Sequence, residues 1–395
     1  MLSVVSGNTP EARSRALDVL LRAAPDAVVL SISVQGDGNR GYPCVQRIVT
    51  SDDDALRDEL CRAGTGDPAV IVRQDLEAIA RRSPRPHVVL SLPENLDAAA
   101  LLASLWQPPP GRTPTAHHYD LAATTMGVDP GRFLSDLRCV HRSAPFFGPG
   151  RHTAPVTLAE AAARQVEAAG TLVLRPGQDP ADGRRQGVRA LLGHLNPSAT
   201  VLAGDSDDAD ALKALVNPDP RWAEANPAER LDPVLAPVRR RGVDQGMMSV
   251  LWRSRRPVHP ERLADSLPKL MSGVVRSRGH LWLGTRPRSV VSWRSAGGHL
   301  ELREAGDWLQ DGDASAWRAA SPQRRTLASW FWDEYYGERR NEIVFTGTGL
   351  DQDGLRRILD ATLLDDRELS HGVEAWAGLP DPLLGAPAPG VPTDN

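Results

Sequence analysis

The chain has 395 residues, 41% of them apolar and 24% charged, with a formal net charge of −4. That length exceeds one ordinary hydrophobic core and favours two domains. No apolar run approaches the roughly 20 residues that cross a bilayer, and the opening Met1-Leu-Ser-Val-Val-Ser-Gly7 lacks the basic and long apolar regions of a secretory signal, so the expected compartment is the cytoplasm. Three widely spaced cysteines, Cys44, Cys61 and Cys139, form no CxxC and no disulfide scaffold.

The first half alternates short apolar runs with helical patterns, which predicts an α/β domain around a parallel sheet. Strands are expected over Leu2–Ser6, Ala27–Ser33, His87–Leu92, Leu121–Met126, Thr171–Leu174 and Thr200–Leu202. A helix is expected over Gly187–Leu195, stopped by Asn196-Pro197. The stretch 107–114, with three consecutive prolines, reads as a surface loop, and 217–246, rich in Pro, Arg and Glu, as the domain boundary.

From Met247 the pattern changes to a smaller α+β domain. Strands are expected over Ser249–Arg253, Val274–Gly284, Val290–Arg294, His299–Arg303 and Glu342–Thr346. Helices are expected over His259–Met271, Gln323–Tyr335 and Asp351–Leu363, with Pro260 at the first helical position of one and Asp351 capping another. Trp282, Trp293 and Trp308 are read as core, and His259 and His280 as capping or packing residues without a ligand partner. The expected boundaries are 1–205 for the first domain, 206–246 for a linker, 247–370 for the second domain and 371–395 for a disordered Pro/Gly-rich tail.

Basic residues are unevenly placed. Lys213 and Lys269 are the only lysines among 46 basic residues, so almost every cation is an arginine. Residues 238–294 carry thirteen of them against Asp244, Glu261 and Asp265. Arginine binds phosphate and acidic surfaces well, which marks Arg255, Arg256, Arg276, Arg278, Arg286 and Arg288 as candidate partner-binding residues; a merely solvated face is the other reading.

The ordered blocks Arg255-Arg-Pro-Val-His-Pro-Glu-Arg-Leu263, Gly273-Val-Val-Arg-Ser-Arg-Gly279, Trp282-Leu-Gly-Thr-Arg-Pro287, Ser295-Ala-Gly-Gly298, Gly337-Glu-Arg-Arg-Asn-Glu-Ile-Val-Phe345 and Leu363-Leu-Asp-Asp-Arg-Glu368 resemble the CobW C-terminal domain. The resemblance implies a P-loop GTPase domain before it, reading S-G-x-x-G-x-G-K-T-T after the first strand. Ser6-Gly-Asn-Thr-Pro-Glu-Ala-Arg-Ser-Arg15 stands there instead. Gly7 and a Ser14 in the magnesium slot remain, but Pro10 removes a backbone donor, Ala12 replaces a glycine and Arg13 takes the lysine slot. Where the family reads guanine with N-K-x-D, this chain has Arg175-Pro-Gly-Gln178, with Asp179 one place out of register. The family's C-x-C-C slots hold Asp67, Ala69 and Val70 ahead of a matching Arg73-Gln-Asp-Leu76, so thiolate zinc binding is not expected there. Cys139-Val-His141 is read as structural, and Asp129 matches an aspartate that ends a family strand.

Gly7, Arg13, Ser14 and Asp129 are therefore read as vestigial nucleotide slots in a degenerate P-loop NTPase-like domain. The resemblance implies an accessory protein of zinc homeostasis or of the response to zinc limitation, extending to ribosome remodelling or hibernation. On this reading the protein has no enzymatic activity, cofactor or membrane, and its partner is a ribosome, a ribosome-hibernation factor or another acidic protein client. Two alternatives stand beside it: a GTP-dependent zinc metallochaperone using GTP and Mg through Arg13 and Ser14, and a module that binds a protein client without nucleic acid or nucleotide.

Overall fold

The structure, a computed structural model, describes residues 1–36, 41–83, 86–107, 111–140, 147, 156–175, 183–204, 209–216, 234, 238–312 and 314–385. It divides into two compact units, Met1–Leu231 and Asp232–Asn395.

The first unit runs β1 (Leu2–Gly7), α1 (Pro10–Ala23), β2 (Val28–Gln35), β3 (Cys44–Thr50), α2 (Asp54–Leu60), β4 (Ala63–Thr65), α3 (Pro68–Arg82), β5 (Val88–Ser91) and α4 (Ala98–Trp106). It continues with β6 (Leu121–Val128), α5 (Pro130–Arg138), α6 (Leu158–Ala168), β7 (Thr171–Leu174), α7 (Gly183–Leu195), β8 (Thr200–Ala203) and α8 (Ala209–Val216). These strands form one sheet in the order β4-β3-β2-β5-β1-β6-β7-β8, parallel from β2 to β8 and closed on the other side by the antiparallel pair β3 and β4.

Strand alternation splits the core between two faces. Leu2, Val4, Leu30, Ile32, Val88 and Leu90 meet Val72, Leu76 and Ile79 of α3 and Leu101 and Leu102 of α4. Val5, Val29, Val89 and Val173 face Ala16, Val19 and Leu20 of α1, together with Leu215 of α8. The parallel-dominated α/β sheet is the expected fold class, with helices covering both faces.

Two features of this unit differ from the sequence reading. Expected to end at 205, it extends through α8, because Leu215 is buried in the α1 cluster. The β3–β4 pair was not anticipated either: the alternation Val45, Arg47, Val49 puts a charged residue at a buried position, where Asp75 of α3 accepts from it at 3.1 Å.

The second unit is β9 (Met247–Ser254), α9 (Pro260–Leu270), β10 (Val274–Leu281), β11 (Ser289–Ala296), β12 (His299–Asp307), α10 (Ala314–Ala319), α11 (Pro322–Trp330), β13 (Asn341–Thr348), α12 (Gln352–Asp360), α13 (Asp366–Ser370) and α14 (Val373–Ala377). Its five strands form a separate antiparallel sheet in the order β12-β11-β10-β13-β9, which leaves β9 at an edge. Leu263 and Leu270 of α9 and Leu355 and Leu359 of α12 pack with Trp252, Leu281, Trp293 and Phe345. Asp351 caps α12 by accepting from the Gly354 amide at 3.0 Å, as its position predicts.

A second cluster joins Val234, Trp282, Val290, Trp308, Leu364 and Trp376, which corrects two expectations. Val234 lies inside the stretch read as linker and is 1% exposed. Beyond residue 370 the chain does not fray at once: Trp376 of α14 is 5% exposed and donates to the Glu368 carbonyl at 2.7 Å, and Asp381 accepts from Thr285 at 2.7 Å. Residues 386–395 lie outside the described residues.

The helix expected over Gln323–Tyr335 stops at Trp330. Past it, the Asp333 carboxylate accepts from the Tyr335 and Tyr336 amides at 2.9 Å each, and Gly337 turns at φ +62°. This local side-chain bonding competes with the helix and wins.

Candidate functional site

The C-terminal ends of β1, β5, β6 and β7 converge on one corner of the first unit, and the candidate residues Gly7, Arg13 and Asp129 meet there. Only Asn8 and Thr9 separate β1 from α1, because Pro10 starts the helix with Thr9 as its cap. The Ala12 amide donates to Thr9 Oγ1 at 3.1 Å and the Arg13 amide to the Thr9 carbonyl at 2.9 Å. Residues that a phosphate loop would hold in an open turn are thus the first turn of a helix, with their donors engaged. The helix also lies close to the sheet: a Cβ on Gly127 would sit 1.9 Å from the Ala12 carbonyl oxygen, and one on Gly7 would sit 2.6 Å from the Arg13 nitrogen. Here the glycines admit the helix itself.

The charges around this corner pair with one another. Arg13 donates to the Leu92 carbonyl at 3.2 Å and lies 3.1 Å from the Glu94 carboxylate. Asn8 exchanges two hydrogen bonds with the Asp129 backbone, at 2.7 and 3.3 Å. Asp129 caps α5 through the Arg132 amide at 3.1 Å and pairs with Arg175 at 2.9 Å. Ser14, which the sequence reading aligned with the magnesium-binding position, is exposed on α1. The positions aligned with the family's guanine motif after Arg175 lie outside the described residues, as does His141 of the Cys139 pair.

At the family's metal slots, Asp67 caps α3 by accepting from the Ala69 amide at 2.8 Å, and Ala69 and Val70 are in the helix. The matching Arg73 and Asp75 are buried. Arg73 donates to the Ser104 carbonyl at 2.5 Å, while burial pushes the Asp75 carboxyl up to about 6, against the pull of Arg47. Among the described residues no group of three or more His, Cys, Asp or Glu side chains could hold a metal ion. None of the described helices is long and apolar enough to cross a membrane.

Residues 247–363, covering the sheet and α9 to α12 of the second unit, match the family described as the cobalamin synthesis protein cobW C-terminal domain. The second unit carries a CobW C-terminal domain. Over both units, the chain is similar to a zinc chaperone of Mycobacterium tuberculosis, at 29% identity over 316 residues, covering 79% of this chain and 76% of that protein. It is also similar to the zinc-regulated GTPase metalloprotein activator 1 of Dictyostelium discoideum, at 28% identity over 228 residues, 55% of this chain and 47% of that one. Among solved structures, the Zn(II)-bound YjiA GTPase from E. coli aligns over 92% of this chain and 98% of its own, at 12% identity and a TM-score of 0.34.

In the CobW domain the six arginines singled out from the sequence do not share one open face. Arg276 is 3% exposed and donates to the Ser295 carbonyl at 3.2 Å. Arg286 is 4% exposed and lies 3.0 Å from Glu304 and 3.3 Å from Asp381. Arg278, two residues along β10 from Arg276, is half-buried. Arg255 donates to the Gly337 carbonyl at 3.2 Å, Arg256 pairs with Asp366, and exposed Arg288 donates to the Asp311 carbonyl at 3.3 Å. Arg239 and Arg253 of the same basic stretch instead line a groove of about 420 Å³ with Trp252, Asp360 and Arg356, and it is Arg356, from outside that stretch, that the sequence reading missed. No short motif could have shown that convergence, which comes from β9 and α12 lying side by side. The buried carboxylates of Glu338 and Glu342, each holding two bonds from arginine, were also missed.

Proposed function

We propose that this protein is a CobW-type accessory protein of zinc homeostasis that acts by binding a partner and does not hydrolyse GTP. The observation carrying the reading is the early start of α1 at Pro10, which engages the Ala12 and Arg13 amides with Thr9 and turns Arg13 toward Glu94. A triphosphate needs several inward-facing amides and a compact ammonium, and this corner offers neither. The zinc side of the reading is supported by the names of the relatives. The partner is a ribosome, a ribosome-hibernation factor or an acidic protein client, met under zinc limitation.

Titration calorimetry of the full chain with GTP and Mg²⁺ tests it. The expected result is no binding heat at protein concentrations that would reveal micromolar affinity. Micromolar binding abolished by Ser14→Ala would overturn the reading in favour of a working GTP-dependent metallochaperone.

A further inference from the structure

The second unit carries two unusual surfaces that adjoin. One is the groove of about 420 Å³ lined by Arg239, Arg253, Arg356 and Asp360, along the edge strand β9 and α12. Arg253 is tied to the buried Glu342, and the Trp252 indole donates to Asp360 at 2.8 Å, so these two charges are held in place. Arg239 and Arg356 make no hydrogen bond or ion pair among the described residues. The groove is thus bordered by two uncommitted guanidinium groups, planar forks suited to phosphate oxygens, and by Arg253, whose own guanidinium is held at Glu342.

The other surface is aromatic. Within six residues, Trp330 is 81% exposed, Trp332 50% and Tyr335 71%, whereas Trp252, Trp282, Trp293 and Trp308 of the same domain are each at most 2% exposed. Rings this large left in water mark a contact surface. Phe331 joins the two surfaces: its ring lies 5.7 Å from the Arg253 guanidinium and 4.2 Å from that of Arg340, while its chain neighbours Trp330 and Trp332 turn outward. Trp330 and Arg325 also border an open cleft of about 580 Å³.

From this juxtaposition we infer that the CobW domain binds single-stranded RNA, with phosphates over Arg239, Arg253 and Arg356 and unpaired bases stacked on Trp330, Trp332 and Tyr335. Single-strand binders combine a cationic track with exposed rings, because every base has a π face. An acidic peptide would use the arginines and leave the rings idle, and a duplex would hide its bases from them. The inference rests on the partner-binding reading above and names its partner.

The test is fluorescence anisotropy of a labelled single-stranded RNA of about 12 nucleotides, spanning a typical single-strand site, titrated with the full chain at several salt concentrations. Binding should weaken steeply with salt, as each phosphate contact adds to the slope. Arg239→Glu with Arg356→Glu should weaken it by about tenfold or more and flatten the salt slope. Trp330→Ala with Tyr335→Ala should cost about tenfold or more with the slope unchanged. Circular dichroism matching the parent establishes that each variant is folded, and the two pairs lie on separate elements. A parent that binds no RNA, RNA binding indifferent to both pairs, or equal displacement by polyglutamate would each overturn the inference. If RNA binding fails while the protein still co-sediments with ribosomes after nuclease treatment, the partner-binding reading survives without it. Micromolar GTP binding would instead overturn that reading, whatever the RNA result.

Discussion

The corner after β1 and the core of the CobW domain both pair arginine with carboxylate, at opposite depths. At the corner, Arg13 and Glu94 remain 24% and 32% exposed, and Arg175 and Asp129 46% and 23%. In the CobW domain, Arg324 and Glu338 are 7% and 0% exposed, and Arg340 and Glu342 3% and 0%. Exposed pairs contribute little because water and salt screen them. Buried pairs give little net gain over an apolar replacement but a large penalty when one partner is lost. The first set is therefore free to be rearranged by a ligand or by mutation, and the second is bound into the fold.

Glu338→Ala breaks this contrast most severely if it is wrong. The variant strands the Arg324 guanidinium and the Leu309 amide, both of which Glu338 accepts from. A loss of about 3–5 kcal/mol is expected in the urea transition of the second unit, and a loss below about 1 kcal/mol would place this pair with the surface ones. The Arg47–Asp75 pair carries the comparison into the first unit. Burial raises the Asp75 carboxyl from 3.8 to about 6, so the folded chain holds this proton more tightly than the unfolded one. The stability from this group is fully present below about pH 3.8 and is lost as pH rises through about 6. Urea denaturation at pH 4 and pH 7 should show the parent losing ground to Asp75→Asn as pH rises, and the opposite trend would mean that Arg47 outweighs burial. The smallest effect is expected at the corner, where Arg13→Ala should change stability by less than about 1 kcal/mol. A larger loss in the same denaturation assay would show that Arg13 is structural.

The strands of the first unit were legible because continuous apolar runs such as Leu2–Ser6 and His87–Leu92 need no partner to be recognised, and most of their ends moved by only one or two residues. The β3 strand was not, since Arg47 interrupts its apolar alternation and is admitted by the Arg62 carbonyl and by Asp75, 28 residues away. The neighbourhood of Gly7, Arg13 and Asp129 followed from the motif order. Their partners Glu94 and Arg175 did not, because they lie in the segments that follow two other strands, β5 and β7. The basic stretch misled most at Arg276 and Arg286: local charge density suggested a surface, while the Ser295 carbonyl, Glu304 and Asp381 that receive those guanidiniums come from elsewhere in the chain. Charge is read locally in a sequence, but its compensation is a property of the fold.

Asp381 has a consequence for where this domain ends. The family match stops at residue 363, yet Asp381 receives Thr285 and Arg286, and Trp376 meets Trp282 edge-on at 6.2 Å. A protein cut back to the matched residues would keep all five strands and lose the clasp that closes over them. It would bare one face of Trp282 and leave the buried Arg286 with a single carboxylate, a costly arrangement for a guanidinium out of water. The unit of homology and the unit of folding thus differ by a segment running to about residue 385, and fusions that carry this domain should be joined beyond that segment.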